Sequence, residues 1–224
     1  MSIFDYILAV LPGLPVSLSL TFTALITAFL LSALFTLVLS LKPRVLTPLV
    51  KGYITLFTGT PLLVQFFLIY FGPAQFEGLK NYPLLWELMS SPWLCAMVTL
   101  ALNSAAYSTL LFYGAVKAIP KGQWQSCQAL GMSQKQTMRI ILPYAFKRAL
   151  SSYSNEVVLI FKSTSLATTI SLLEVMGYSR RLFGQDYDLN VFIAAGIIYL
   201  AVNSLLTLAM RLIERRALAF EHRN

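Results

Sequence analysis

Charged side chains are scarce in this sequence: they make up 12% of its 224 residues, against 57% hydrophobic. Soluble domains carry about 25% charge, so most soluble enzyme classes are excluded. The scarcity is also local. No charge lies between Asp5 and Lys42, a stretch well beyond the ~20 apolar residues that a helix needs to cross a bilayer. Histidine occurs once, as His222, and cysteine twice, as Cys95 and Cys127. So few nitrogen and sulfur donors, so far apart, give no metal or redox pattern. No basic segment precedes the first apolar run, and that run is too long for the core of a cleaved signal peptide. Segments of about 10 alternating residues, the mark of a membrane β-barrel, are missing. The phosphate-binding pattern G-x-x-x-x-G-K-[ST] is missing too, so ATP is not bound by this chain.

What the sequence has is long apolar runs. They predict an all-α integral membrane protein with a single domain of five spans, over about residues 14–41, 52–71, 93–116, 149–172 and 191–210. The formal charge is +8, which in a soluble chain would point to nucleic acid. Here its distribution favours a membrane bias instead. Thirteen of the 17 basic residues follow the first, third and fifth spans, among them Lys42, Arg44, Lys51, Arg211, Arg215, Arg216 and Arg223. Six of the nine acids, including Glu87, Glu174 and Asp188, fall on the other side. The positive-inside rule then places the N-terminus outside and the C-terminus in the cytoplasm, with no nucleic-acid partner. Tyr82, Trp86 and Trp93 fit an outer aromatic belt, and residues 84–90 a short interfacial helix.

Residues 117–148 form the longest stretch outside the spans, with six basic residues and no acid. Gln123–Leu130 can make a short helix. Gly131 allows a sharp reversal, because glycine has no Cβ to clash at positive φ. Ser133 and Gln136 have the spacing of a capping box for a second helix, which is expected to end near Leu142, where Pro143 interrupts it. The result is an elbow presenting Ala129, Leu130 and Met132, suited to a groove on another protein.

The segment GQWQSCQALGMSQKQTMRIILP (Gly122–Pro143) resembles the EAA loop of ABC-importer permeases. Three further segments are similar to the polar amino acid branch of that family: YITLFTGTPLLVQFFLIYFG (Tyr53–Gly72), AAYSTLLFYGAVKAIPKGQ (Ala105–Gln123) and SSYSNEVVLIFKSTSLATTISLLEVMG (Ser151–Gly177). The resemblance covers nearly the whole chain and is strongest to permeases of basic amino acids, the M-type arginine permeases above all. It implies the type I importer permease fold in a bacterial inner membrane. The implied partners are a dimer of ATPase subunits carrying ATP and magnesium, a periplasmic amino acid-binding protein, surrounding lipid, and a second permease. The elbow, with Gln125, Ala129, Leu130, Gly131 and Met132, would contact the ATPase. The chain departs from the family pattern at Gln125, which replaces the loop glutamate, at Ser126 and Cys127, at Leu110 and Tyr113, and at Ser163, where relatives carry an acid. The interval from Gly131 to Pro143 is also one residue short. These departures favour the specialised member of a heterodimer.

Charges inside a span are costly and mark functional candidates. Residues 149–172 hold two, Glu156 and Lys162. Six residues of helix set them about 9 Å apart axially and roughly 120° in azimuth, so they are not expected to pair. Glu156 is the leading substrate candidate, since a carboxylate accepts two parallel bonds from a guanidinium. Ser163 and Thr164 beside Lys162, Asn103 and Ser104 in the third span, and Gln65 near Pro61 in the second complete the predicted pathway. A structural role is equally available to each: hydroxyls bridge membrane helices, and Pro61 is expected to kink its helix. Ala105, Ala106, Gly114, Ala194, Ala195 and Gly196 are expected to permit close helix packing. The competing reading is a stand-alone secondary carrier or channel, which five spans without an inverted repeat disfavour.

Overall fold

In the computed structural model, which describes residues 2–218, every regular element is helical. His222 and Arg223, read above as part of the charged tail, lie outside the described residues. A short helix α1 (Ile3–Val10) leads into α2 (Leu14–Leu41). The broken pair α3 (Leu46–Gly59) and α4 (Leu62–Phe71) follows, then α5 (Pro83–Ser90) and α6 (Pro92–Lys117). Beyond them come α7 (Lys121–Ala129), α8 (Gln134–Ser163), α9 (Val175–Asp186) and α10 (Asn190–Leu218).

The burial pattern of α2 is the reverse of a soluble helix. Its inward face is small and hydroxyl-bearing: Ser17, Thr21, Ala24, Ala28, Ser32 and Thr36 are buried. Its outward face carries Phe22, Ile26, Leu30 and Leu34, all exposed. Hydrocarbon is as apolar as leucine, so packing inside a bilayer is driven by close approach of small residues rather than by hiding large ones. Two of these hydroxyls donate to backbone carbonyls of their own helix, Thr21 Oγ1 to Ser17 O at 2.7 Å and Ser32 Oγ to Phe29 O at 3.0 Å. Ala101, Ala105 and Ala106 give α6 a matching small face at the centre of the bundle. Gly114 and Gly196, expected to serve packing, are instead exposed on the isolated chain.

Among the described residues, three helical stretches are long and apolar enough to cross a membrane: Ile3–Leu41, Pro92–Lys117 and Asn190–Ala217. Two bent pairs pass the same test jointly. One comprises α3 and α4, which meet at 107°; the other joins the Gln134–Ile170 stretch to α9 at 48°. The expected kink at Pro61 is therefore a full break. Pro61 has no N–H to offer the carbonyl four residues back, that of Phe57. Side chains supply the missing donors: Gln65 Nε2 at 2.9 Å and Asn103 Nδ2 at 3.2 Å.

The second proline corrects the sequence reading the other way. Pro143 does not end its helix; α8 runs through it from Gln134 to Ser163. Pro143 and Arg139 are both exposed, so the carbonyl orphaned there lies where water or a lipid headgroup can reach it. Beyond Ser163 the chain tightens into a 3₁₀ segment, Thr164–Ile170. A helix is present where the short one was expected, as α5.

Candidate functional site

The interior acids have different fates. Glu156 lies on α8 and borders a cavity of about 220 Å³ between α4, α6 and α8. Its walls are Leu62, Leu100, Leu159 and Ile160, and its polar groups are Asn103, Ser104, Tyr107, Glu156 and Ser163. The Ser104 hydroxyl donates to Glu156 Oε2 over a long 3.5 Å. Among the described residues no cation is placed against the carboxylate, and Lys162 is exposed and outside the cavity lining. The site therefore presents an acid to whatever enters it, with one weak internal hydrogen bond to lose. Its volume is below the ~300 Å³ at which ligand pockets begin.

Two predicted pathway residues are not at this cavity. Gln65 is buried, and its amide is occupied by the broken helix, donating to Phe57 O and to Thr60 O at 3.1 Å. Its Oε1 accepts from Asn103 Nδ2 at 3.0 Å, so Gln65 holds Asn103 in place from behind. Thr164 is buried and bonds the Phe161 carbonyl at 2.7 Å. Tyr107, absent from the sequence reading, joins the lining and reaches the Thr58 carbonyl at 3.4 Å.

The elbow is built as its local sequence requires. Gly131 adopts φ +70°, and the Met132 N–H returns to Cys127 O at 3.1 Å. Ser133 and Gln136 close a capping box at the start of α8. Val116, Ile119, Ile141 and Ala145, with Trp124 packed on them, seat α7 against the ends of α6 and α8. Gln125, Ala129 and Gly131 stay exposed, Met132 is half-buried, and Leu130 is 75% exposed at the tip. An apolar tip on a firm base is the form of a docking element. Glu156 stands 22 residues beyond Gln134 on the same helix, about 33 Å at 1.5 Å per residue.

Residues 28–218 match the family of binding-protein-dependent transport system inner membrane components. The chain belongs to that family. It is 68% identical over 221 residues to the arginine ABC transporter permease protein ArtM of Escherichia coli K12, covering 99% of this chain and 100% of that one. Against the ArtM protein of Haemophilus influenzae the identity is 53%, over 97% of this chain and 96% of the relative. A crystal structure of an amino acid ABC transporter with histidines shares the fold at a TM-score of 0.81 and 25% identity, over 95% of this chain and 96% of that one. This protein is thus a permease component of an inner-membrane transport system, and its apolar exterior is the surface that lipid requires.

Glu174 in this permease has a setting that sequence reasoning did not foresee. Counted above among the acids of one side of the membrane, it is 0% exposed. It precedes α9, and its carboxylate accepts from the N–H groups of Gly177 at 2.7 Å and Met176 at 2.9 Å. Tyr199 donates at 2.9 Å and Ser17 at 3.4 Å. A buried carboxylate is tolerated when its lone pairs are filled in this way. Gly13 packs against this corner so closely that a Cβ there would lie 2.5 Å from the Glu174 carbonyl carbon. No local pattern announces the arrangement, because Ser17 is 157 residues away and Tyr199 is 25. Glu174→Gln turns an amide donor against N–H groups, and each buried polar group left unsatisfied costs about 1–3 kcal/mol. The thermal midpoint of the purified protein is expected to fall with substrate preference unchanged. A normal midpoint with altered preference would move Glu174 into the pathway.

Proposed function

We propose that this chain is one of two permease subunits of an ATP-driven importer of arginine or a related basic amino acid. In this reading it spans the membrane five times, with its N-terminus periplasmic and C-terminus cytoplasmic, each broken pair counting as one span. The observation that carries it is the carboxylate of Glu156, bordering a cavity in the bundle and bonded, among the described residues, to Ser104 alone. A guanidinium entering the cavity meets an acceptor that already sits at membrane depth and needs a cation. The names of its arginine-transporting relatives agree with that chemistry.

The open side of the cavity would be closed by a second, related permease. Heterodimer pairing is favoured by the departures at Gln125, Leu110, Tyr113 and Ser163, which leave this chain specialised. A periplasmic binding protein would deliver substrate at the outer ends of the helices, and a cytoplasmic ATPase dimer would receive Leu130 and its neighbours. ATP and magnesium would be held there and not by this chain. Helix α8 links elbow to cavity as one rod, so ATPase closure at one end tilts the wall that bears Glu156 at the other. Such rigid-body rocking is a sufficient means of alternating access.

The test is a mild-detergent pull-down of this chain from its native membrane, with mass spectrometry of the associated proteins. An ATPase and a second permease are expected. Recovery of folded chain alone would overturn the importer reading in favour of a stand-alone carrier.

A further inference from the structure

A second cavity has no place in that transport path. It is a groove of about 440 Å³ between the end of α2 and the start of α8. Leu37 and Leu41 form one wall, Met138 and Leu142 the other, and Lys135 and Arg139 stand on its rim. The volume lies within the range of ligand pockets. Lys135 and Arg139 are four residues apart, hence one above the other on a helix face, where like charges repel. Both are exposed, and neither has a bonded partner among the described residues. Residues 117–148 contain no acid to neutralise them. Among the described residues no anion lines the groove to settle this pair.

The depth of the groove identifies the class of anion. The apolar run of α2 ends at Leu41, and Lys42 and Arg44 follow at once, which marks the level where hydrocarbon gives way to headgroups. Leu37, Leu41, Met138 and Leu142 give the groove its apolar lining, and Lys135 and Arg139 supply its charges. A free phosphate would use the rim alone and leave the leucine and methionine walls unfilled. We propose that this groove is a binding site for an anionic phospholipid of the cytoplasmic leaflet. One acyl chain lies along Leu37, Met138 and Leu142, and the phosphate meets the Lys135 ammonium and the Arg139 guanidinium. The basic stems run along the apolar wall while their heads stay at the interface. Basic pockets between membrane helices on this side are suited to such headgroups. The site rests on the orientation given under Proposed function. Lipid held there ties α2 to the first turns of α8, directly after the elbow, and so braces the rod through which ATPase movement would travel.

Native mass spectrometry of the purified importer, titrated with phosphatidylglycerol or phosphatidylcholine, tests the assignment. The wild type is expected to prefer phosphatidylglycerol. The double variant Lys135→Gln with Arg139→Gln should lose roughly 25-fold in that affinity, about fivefold for each basic residue near a membrane surface, while phosphatidylcholine binding stays unchanged. Leu142→Trp, which fills the groove and keeps both charges, should weaken both lipids. Excess inorganic phosphate should displace neither. Equal phosphatidylglycerol affinity in wild type and double variant overturns the proposal. Displacement by inorganic phosphate overturns it in favour of a free-anion site. Loss of the ATPase from the double variant with lipid binding intact also overturns it, by assigning the cations to the partner protein. Lipid is read as bound mass on any species that contains this chain, so failure to recover an ATPase at all would count against the importer reading and not against the lipid site.

Discussion

Glu156→Gln is expected to lower uptake of arginine by about tenfold to a hundredfold, the effect of removing a charge-assisted hydrogen bond worth about 1.5–3 kcal/mol. Glutamine matches glutamate in shape and can still accept from Ser104, so the packing of α8 against α6 is preserved. What is lost is the negative charge and the second strong acceptor lone-pair set facing the cavity. A guanidinium binds a carboxylate in a planar two-bond geometry that neutral amides do not reproduce. The loss should therefore be steeper for arginine than for lysine, whose ammonium makes single contacts. The measurement is uptake in cells where this importer is the sole route, beside quantification of assembled complex. Normal uptake by a normally assembled variant would remove Glu156 from the pathway and leave it as a bundle residue held by Ser104. Reduced assembly would equally assign it a structural role, the one that Glu174 already fills.

The second large effect is expected at the elbow. Leu130 is exposed at its tip and contributes nothing visible to the internal core. Burying a leucine in a partner's groove contributes about 1.5–3 kcal/mol, and substituting a charge there adds the cost of desolvating it. Leu130→Glu should therefore reduce ATPase recovery and substrate uptake by at least about a hundredfold, since 2.8 kcal/mol already corresponds to that factor. The fold of the chain should survive, because Trp124, Ile119 and Ile141 secure the elbow from beneath. Leu130→Ala should fall between the two, removing contact without adding charge. Full uptake and normal ATPase recovery in Leu130→Glu would show that coupling uses another surface.

The elbow and the interior acids show what could be read in advance. Gly131 and the Ser133–Gln136 box were legible because the interactions they make span three or four residues. Pro61 and Pro143 were both visible as disruptions, yet only one breaks its helix. The difference lies in what surrounds the orphaned carbonyl. At Phe57 it is met by Gln65 and Asn103 from inside the bundle, which hold the break open. At Arg139 the backbone lies at an exposed surface, and the helix continues. Gln65 was legible as a polar residue in a span, but its task as a brace depended on a helix drawn from elsewhere in the chain.

The sequence by itself determined the membrane class, the main apolar runs, the elbow and the choice of Glu156 as a charge placed inside a span. These follow from hydropathy summed over a window and from short-range capping, both of which are written in consecutive residues. Only the tertiary structure decided that Glu174 is buried, that Thr164 and Gln65 turn away from the cavity and that Tyr107 joins it. Each of those outcomes depends on which donor and acceptor finds which partner across the bundle. In a low-dielectric interior an unmatched polar group is costly, and the matching is made between residues as far apart in sequence as Ser17 and Glu174.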